Sequence, residues 1–395
     1  MHFPHTNHYK MNKALESIQP SLTLAITDRA KQLKAEGHSV CNFSAGEPDF
    51  DTPTAAKMVC AQALKDGKTK YTPAAGMPEL RTAIAAKLQN ENGLDVGPDG
   101  IVVSCGAKHS LANAFFALCN AGDEVIVPAP YWLSYPEMIR IAGGTPVFVT
   151  GTPENGLKIT AEQLEAVITP RTVALVLNSP SNPTGAVYAE AELRALGEVC
   201  VKHGLWIIAD EIYEHLVYDG VKHVSMASLS PELAARTVTV NGFSKAFAMT
   251  GWRMGYAAGP LEFIRAMAKV QSHTAGPPAT FAQFGGIAAL HDCEKEAARM
   301  VSAFASRRQR IVDLLLDIPG IRCVKPQGAF YVFPDISSFG LDSKTFAERL
   351  IDEKHVALVP GAAFGSDTNV RLSYACGMDE IEEGLARIRD FCASL

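Results

Sequence analysis

Long apolar runs, paired cysteines and a large surplus of either charge are all missing from this 395-residue sequence. The longest stretch without a charge, Val270 to His291, carries Gln271, Ser272, His273, Thr274, Pro277, Pro278 and three glycines. No bilayer-spanning helix would hold that mixture. Nine cysteines are scattered from Cys41 to Cys392 without a Cys-x-x-Cys pair. That spacing matches neither a zinc site nor a disulfide framework and suits reduced thiols in a cytoplasm. Lys and Arg total 36 against 42 Asp and Glu, a net charge of −6, so nothing pulls the chain toward nucleic acid or an anionic membrane. The opening MHFPHTNHYKMNK lacks the apolar core of a secretory signal. His2, His5 and His8 are spaced like a metal tract, but Pro4 breaks any helix that would align them. The segment reads as a leader ahead of the fold, and no metal site is expected. Internal repeats and low-complexity linkers are absent as well.

What is present is ordinary globular material: 47% apolar residues and 20% charged. Length alone suggests about two or three domains. Short β-rich runs recur, each followed by a helical pattern. They are IVVSC (101–105), EVIVP (124–128), VALVLN (173–178), LWIIAD (205–210), TVTVN (237–241) and RMGYAAG (253–259). Most are nearly continuous in Val, Ile and Leu, as strands covered on both faces are. Between them lie helical stripes such as Leu111, Phe115 and Leu118. The alternation predicts an α/β fold, a mostly parallel sheet wrapped by helices, with ligands outside the carboxyl ends of its strands. Beyond about residue 290 a long amphipathic helix is expected over His291–Asp317, burying Met300, Phe304, Ile311 and Leu315. Short strands such as AFYVFP (329–334) and VRLSYA (370–375) follow, as in a smaller α+β domain. The expected division is residues 1–50, packing with the small domain, a large domain at 51–290, and the small domain at 291–395.

Polar groups stand at three strand ends. VALVLN runs into SPSNPTG with Asn182 between prolines, LWIIAD ends in Asp210 with Tyr213 three residues on, and TVTVN leads to Lys245 among small residues. Alone, Asp210 reads equally well as a helix cap and Lys245 as a solvated loop lysine. In this order an acid, an amide, a phenol and an amine would converge on one crevice.

These strings, with FSAGEPDFDTP (43–53), GKTKYTPAAG (67–76), PYWLSYPEM (130–138) and SKAFAMTGWRMGY (244–256), resemble class I aminotransferases of the aspartate aminotransferase family. Within it the chain is most similar to the bacterial, cyanobacterial and plastid branch, over nearly its whole length. The resemblance implies a pyridoxal 5′-phosphate (PLP) transferase of fold type I. Lys245 matches the lysine that forms an imine with PLP, where burial or nearby cations would keep the amine neutral. Asp210 corresponds to the carboxylate under the pyridine nitrogen, keeping it protonated. Tyr213 and Asn182 match the residues that hydrogen-bond the ring's O3′, and Trp132 the aromatic stacked on the ring. For the phosphate, the resemblance implies the helix start at Gly106 and Ala107, Ser244, Arg253, and Tyr71 reaching across a homodimer. The substrate's α-carboxylate would meet Arg371 as a bidentate pair, helped by Gly46 and Asn182. Lys108 corresponds to the lysine that takes a second carboxylate, with Ser21 and Thr23 as helpers. In members that also use prephenate a basic residue precedes the Pro-Ser-x-Thr segment; Gln19 stands there here, which argues against that activity.

The expected function is transfer of the amino group of L-aspartate to 2-oxoglutarate in the cytoplasm, with ping-pong kinetics. Two alternatives stay open: a related aminotransferase for aromatic, neutral or prephenate-type substrates, and a non-catalytic protein that binds PLP or an amino acid. The retained Lys245, Asp210 and Arg371 weigh against the second, and no part of the chain has room for a DNA-binding module.

Overall fold

The computed structural model describes residues 22–395, with side chains from Ile26 onward. The histidines at 2, 5 and 8, Gln19, Ser21 and the side chain of Thr23 lie outside the described residues. In chain order the strands are β1 (Cys41–Asn42), β2 (Ile101–Ser104), β3 (Glu124–Ala129), β4 (Thr145–Thr150), β5 (Thr172–Asn178), β6 (Trp206–Asp210), β7 (Thr237–Gly242), β8 (Gly255–Ala258), β9 (Tyr331–Val332), β10 (Val356–Ala357), β11 (Val359–Pro360) and β12 (Val370–Ser373).

Seven of them form one sheet in the order β2-β8-β7-β6-β5-β3-β4. The pairs from β7 across to β4 are parallel, while β8 runs against both β2 and β7. Every residue of β2, β7 and β8 is buried, which accounts for the lack of any charged residue in them. Helices cover both faces. Ala107–Leu118 sends Leu111 and Phe115 into one core with Val102, Val125, Val176 and Val240, and Leu193, Leu196 and Cys200 of Glu190–His203 fill the other side with Ile126, Leu175 and Ile207.

The reversal of β8 decides where Arg253 falls. Gly255 opens β8 and pairs with Ser104 at the end of β2 and with Gly242 at the end of β7. Arg253, just before β8, therefore emerges at the same edge as the carboxyl ends of β2, β5, β6 and β7.

The second, smaller body is built on the antiparallel sheet β11-β12-β9 and the parallel pair β1-β10. Its core joins Ile26, Ala30, Leu33 and Phe43 to Phe304, Tyr331, Val356, Leu372 and Phe391. The helix expected over His291–Asp317 is corrected at its start. Thr280–Asp292 and Glu294–Leu316 are separate helices meeting at Cys293, and the second buries Met300, Phe304, Arg308, Ile311 and Leu315. Among the described residues no helix is long and apolar enough to cross a membrane, and all nine cysteines are free.

Candidate active site

The ends of β5, β6 and β7 carry the polar groups. Asp210 is the last residue of β6 and pairs in register with Asn178 of β5. Asn178 Oδ1 accepts from the backbone N–H of Asn182 at 2.8 Å, which anchors the turn that follows. Both Ser179–Pro180 and Asn182–Pro183 are cis.

Asp210 is buried. Its Oδ2 accepts the Tyr135 hydroxyl at 2.5 Å and its Oδ1 the Ile212 N–H at 3.3 Å. Among the described residues it has no ion-pair partner. Desolvation pushes its acid up to about 6, with the Tyr135 hydrogen bond working against the rise. Tyr213, three residues on, is buried, and its hydroxyl lies 2.9 Å from that of Tyr331. Burial, then the neighbouring Tyr331, raises its acid well above the usual phenol range.

Lys245 follows β7, and its Nζ donates to the Gly46 carbonyl at 2.6 Å. Burial lowers its ammonium to about 8. Glu47 opposes that fall, and the Arg253 and Arg371 charges add to it.

Arg253 takes a left-handed backbone conformation (φ 53°), and its Nη1 donates to the Thr250 carbonyl at 2.9 Å. Its guanidinium lies against Gly106, where a Cβ would stand 2.7 Å from Nη2, so only glycine fits (φ +91°). The helix Ala107–Leu118 begins there with its first N–H groups unpaired within the helix, and Ser244 is buried two residues after β7. A cation beside a helix N-terminus is electrostatically unfavourable until an anion joins them.

Arg371, on β12, the central strand of the small antiparallel sheet, reaches the crevice from the small body. It is 3% exposed; Nη1 donates to Asn182 Oδ1 at 3.1 Å and Nη2 to the Ser44 carbonyl at 2.9 Å, and Nε is buried without a partner. No carboxylate pairs with it among the described residues. Lys108 holds its ammonium 4.9 Å from the Trp132 ring, and desolvation followed by the Arg253 charge lowers its pKa.

Asp210, Tyr213, Asn182, Lys245, Ser244, Arg253, Gly106, Ala107, Gly46 and Arg371 thus gather at one edge of the sheet, with Trp132 and Lys108 beside them. Tyr71 does not join them: at 99% exposure its ring packs against nothing in its own chain. Tyr135 and Tyr331 contact this set and were not among the residues expected from the sequence. Tyr135 sits three residues after Trp132 in PYWLSYPEM, and Tyr331 inside the strand-like AFYVFP. The available signal was a buried tyrosine, whose hydroxyl needs a partner.

An α/β sheet with a buried carboxylate at the carboxyl end of a strand, and Arg253 and Arg371 without counter-ions across the crevice among the described residues, is the architecture of an enzyme for small ligands. The comparisons specify which. Residues 38–388 match the family model described as aminotransferase class I and II. The chain is 50% identical to the aspartate aminotransferase of Geobacillus stearothermophilus, covering 97% of this chain and 98% of that one. It is 48% identical to the aspartate/prephenate aminotransferase of Cereibacter sphaeroides, covering 98% and 99%. The Thermus thermophilus aspartate aminotransferase solved with maleate superposes with a TM-score of 0.93 at 45% identity, covering 97% and 99%. The chain belongs to the class I and II aminotransferase family.

Proposed function

We propose that this enzyme transfers the amino group of L-aspartate to 2-oxoglutarate with PLP as cofactor, acting in the cytoplasm as a homodimer with shared sites. One observation carries the reading. A buried carboxylate (Asp210), a buried guanidinium (Arg371) and a guanidinium at a helix start (Arg253) face one crevice, and among the described residues none has a counter-ion. PLP and an amino acid bring the three missing charges: a pyridinium, a carboxylate and a phosphate.

When bound, the cofactor supplies an aldehyde for covalent attachment and a ring that accepts electrons. Asp210 would hold the proton on the ring nitrogen, Tyr213 and Asn182 would donate to the ring oxygen, and Trp132 would stack on the face. Arg253, Ser244 and the helix start at Gly106 and Ala107 would hold the phosphate, with Tyr71 supplied by the partner. Arg371 would fork the substrate α-carboxylate beside Gly46 and Asn182. Lys245, displaced by the substrate amine, would take the Cα proton at Nζ and return it to the carbon on the other side of the amine nitrogen, two bonds away. Lys108, with Ser21 and Thr23, would bind the second carboxylate. Dicarboxylate recognition accords with maleate in the Thermus thermophilus structure and with the names of both relatives.

PLP added to the purified enzyme should give a yellow band that shifts with L-aspartate, and borohydride should then label Lys245. Specificity, read as kcat/KM for aspartate, glutamate, phenylalanine and prephenate, should favour the dicarboxylates, with prephenate poor because of Gln19. Replacing Lys108 by Ala should cost aspartate about 10–100-fold and spare phenylalanine. Undiminished aspartate turnover in that variant would shift the assignment to aromatic or neutral substrates, and a colourless protein indifferent to PLP would make it a non-catalytic binder.

A further inference from the structure

We infer that Tyr331 is a positioning residue for both halves of the site: its hydroxyl directs the proton of Tyr213 into the crevice, and its ring holds the Arg371 guanidinium flat. The inference rests on the PLP reading above and extends it to a residue that touches neither Asp210 nor Lys245.

The first half follows from counting protons. Tyr213 and Tyr331 hydroxyls are 2.9 Å apart and make one hydrogen bond, so only one of them donates. Each phenol has a single hydrogen. Among the described residues neither hydroxyl has another hydrogen-bond partner. If Tyr331 donates, the hydrogen of Tyr213 is free to point into the crevice; if Tyr213 donates, it faces the ring oxygen of PLP with a lone pair. An anionic ring oxygen selects the first arrangement. A phenol that accepts one hydrogen bond also donates a stronger one, because chained hydrogen bonds polarise each other.

The second half is a matter of packing. The Arg371 guanidinium centre lies 4.5 Å from the Tyr331 ring centroid and 5.0 Å from that of Phe364. Two aromatic faces thus contact a cation whose Nε has no hydrogen-bond partner. Such contacts orient the fork without competing for its outer N–H groups, which a carboxylate would take. The same Tyr331 hydroxyl closes on Gly46, where a Cβ would lie 3.2 Å away, and the Gly46 carbonyl accepts from Lys245. Tyr331 belongs to β9 and Tyr213 follows β6, so the pair also ties the small body to the large sheet.

Two substitutions separate the halves in the PLP-loaded enzyme. Tyr331→Phe keeps the ring and removes the donor. The pH midpoint of the visible absorbance should rise by about 0.5–1 unit and kcat should fall about 3–10-fold, while KM for aspartate stays within about twofold. Tyr331→Leu removes the ring, and KM for aspartate should rise about 10-fold or more. Tyr213→Phe should raise the midpoint by itself, and adding Tyr331→Phe to it should shift it no further. A merely structural Tyr331 would lower the melting temperature and leave the midpoint of Tyr331→Phe at the parent value; that result overturns the inference. Equal, additive midpoint shifts from the two Phe variants would overturn it too. If the parent takes up no PLP, the functional reading itself falls; if the parent titrates normally and only the Tyr331 effects are missing, that reading stands and this inference alone is lost.

Discussion

At the scale of single residues, Asp210 shows how function is set against stability. Its donors are the Tyr135 hydroxyl and the Ile212 N–H, and no cation meets it among the described residues. Its acid rises from 3.8 to about 6, so the folded chain holds that proton more tightly than the unfolded chain. The corresponding stability is therefore fully present below about pH 4 and lost as pH rises through about 6. The loss across that window is about 3 kcal/mol. Without cofactor, Asp210→Asn should be more stable than the parent at pH 8 by about 1–3 kcal/mol in urea unfolding, and the gap should close near pH 4. The same variant should have lost transamination. A variant less stable than its parent at pH 8 would show that Asp210 is not the uncompensated charge described here. Asp210, Asn182 and Lys245 were legible in the sequence because each ends or follows a run of β-branched residues. Tyr135 and Tyr331 were not, because a buried tyrosine in an apolar string looks like core until its hydroxyl is placed.

Elements were legible in kind and less so in direction. The run RMGYAAG reads as a buried strand, but burial on both faces is the same whichever way a strand runs, so the reversal of β8 left no mark. The edge strand β4, TPVFVT, escaped notice because Pro146 and exposed Phe148 break its texture. The helix Thr280–Asp292 hid in the uncharged run, since Ala282, Gln283, Gly285, Gly286, Ala288 and Ala289 are buried around much of its circumference and leave no polar stripe. Glu294 and Glu296, acids in the first turn, were the overlooked start signal of the next helix.

The loop after β6 carries a further device that only the structure reveals. Asp210 and Tyr213 face the crevice, while Glu211 and Glu214 turn the other way. Glu211 accepts from Ser225 Oγ at 2.9 Å and the Met226 N–H at 3.2 Å, and its Oε2 lies 3.1 Å from His223 Nε2. Glu214 binds the Lys87 ammonium and accepts from Asn92 Nδ2 at 2.6 Å. Burial opposes the charge of Glu214, yet Lys87 and two histidines hold its acid well below the usual range. The cation of this cluster is thus supplied by the helix Pro78–Asn92. Lys87→Met should cost about 3–5 kcal/mol by leaving a buried carboxylate unpaired, and adding Glu214→Leu should restore at least half of it. Equal losses in the single and double variants would mean that the pair contributes packing rather than charge.

The whole molecule is incomplete as one chain if Tyr71 acts where its resemblance implies. Its ring is bare, and Met58, Val59 and Leu64 on the preceding helix Thr54–Lys65 are also exposed. These exposed apolar side chains, with the bare ring of Tyr71, favour a second copy as their cover. Lys245 and Tyr71 would then serve the same site from different chains, which makes complementation the decisive measurement. Lys245→Ala dimers and Tyr71→Ala dimers should each be impaired, the first having lost its covalent anchor and the second a phosphate donor. Unfolded together and refolded at equal concentration, they should form mixed dimers with one intact site, recovering about a quarter of the parent activity by random two-fold pairing. Activity no greater than the mean of the two separate variants would place Tyr71 outside the partner's site and leave each chain with a complete one of its own.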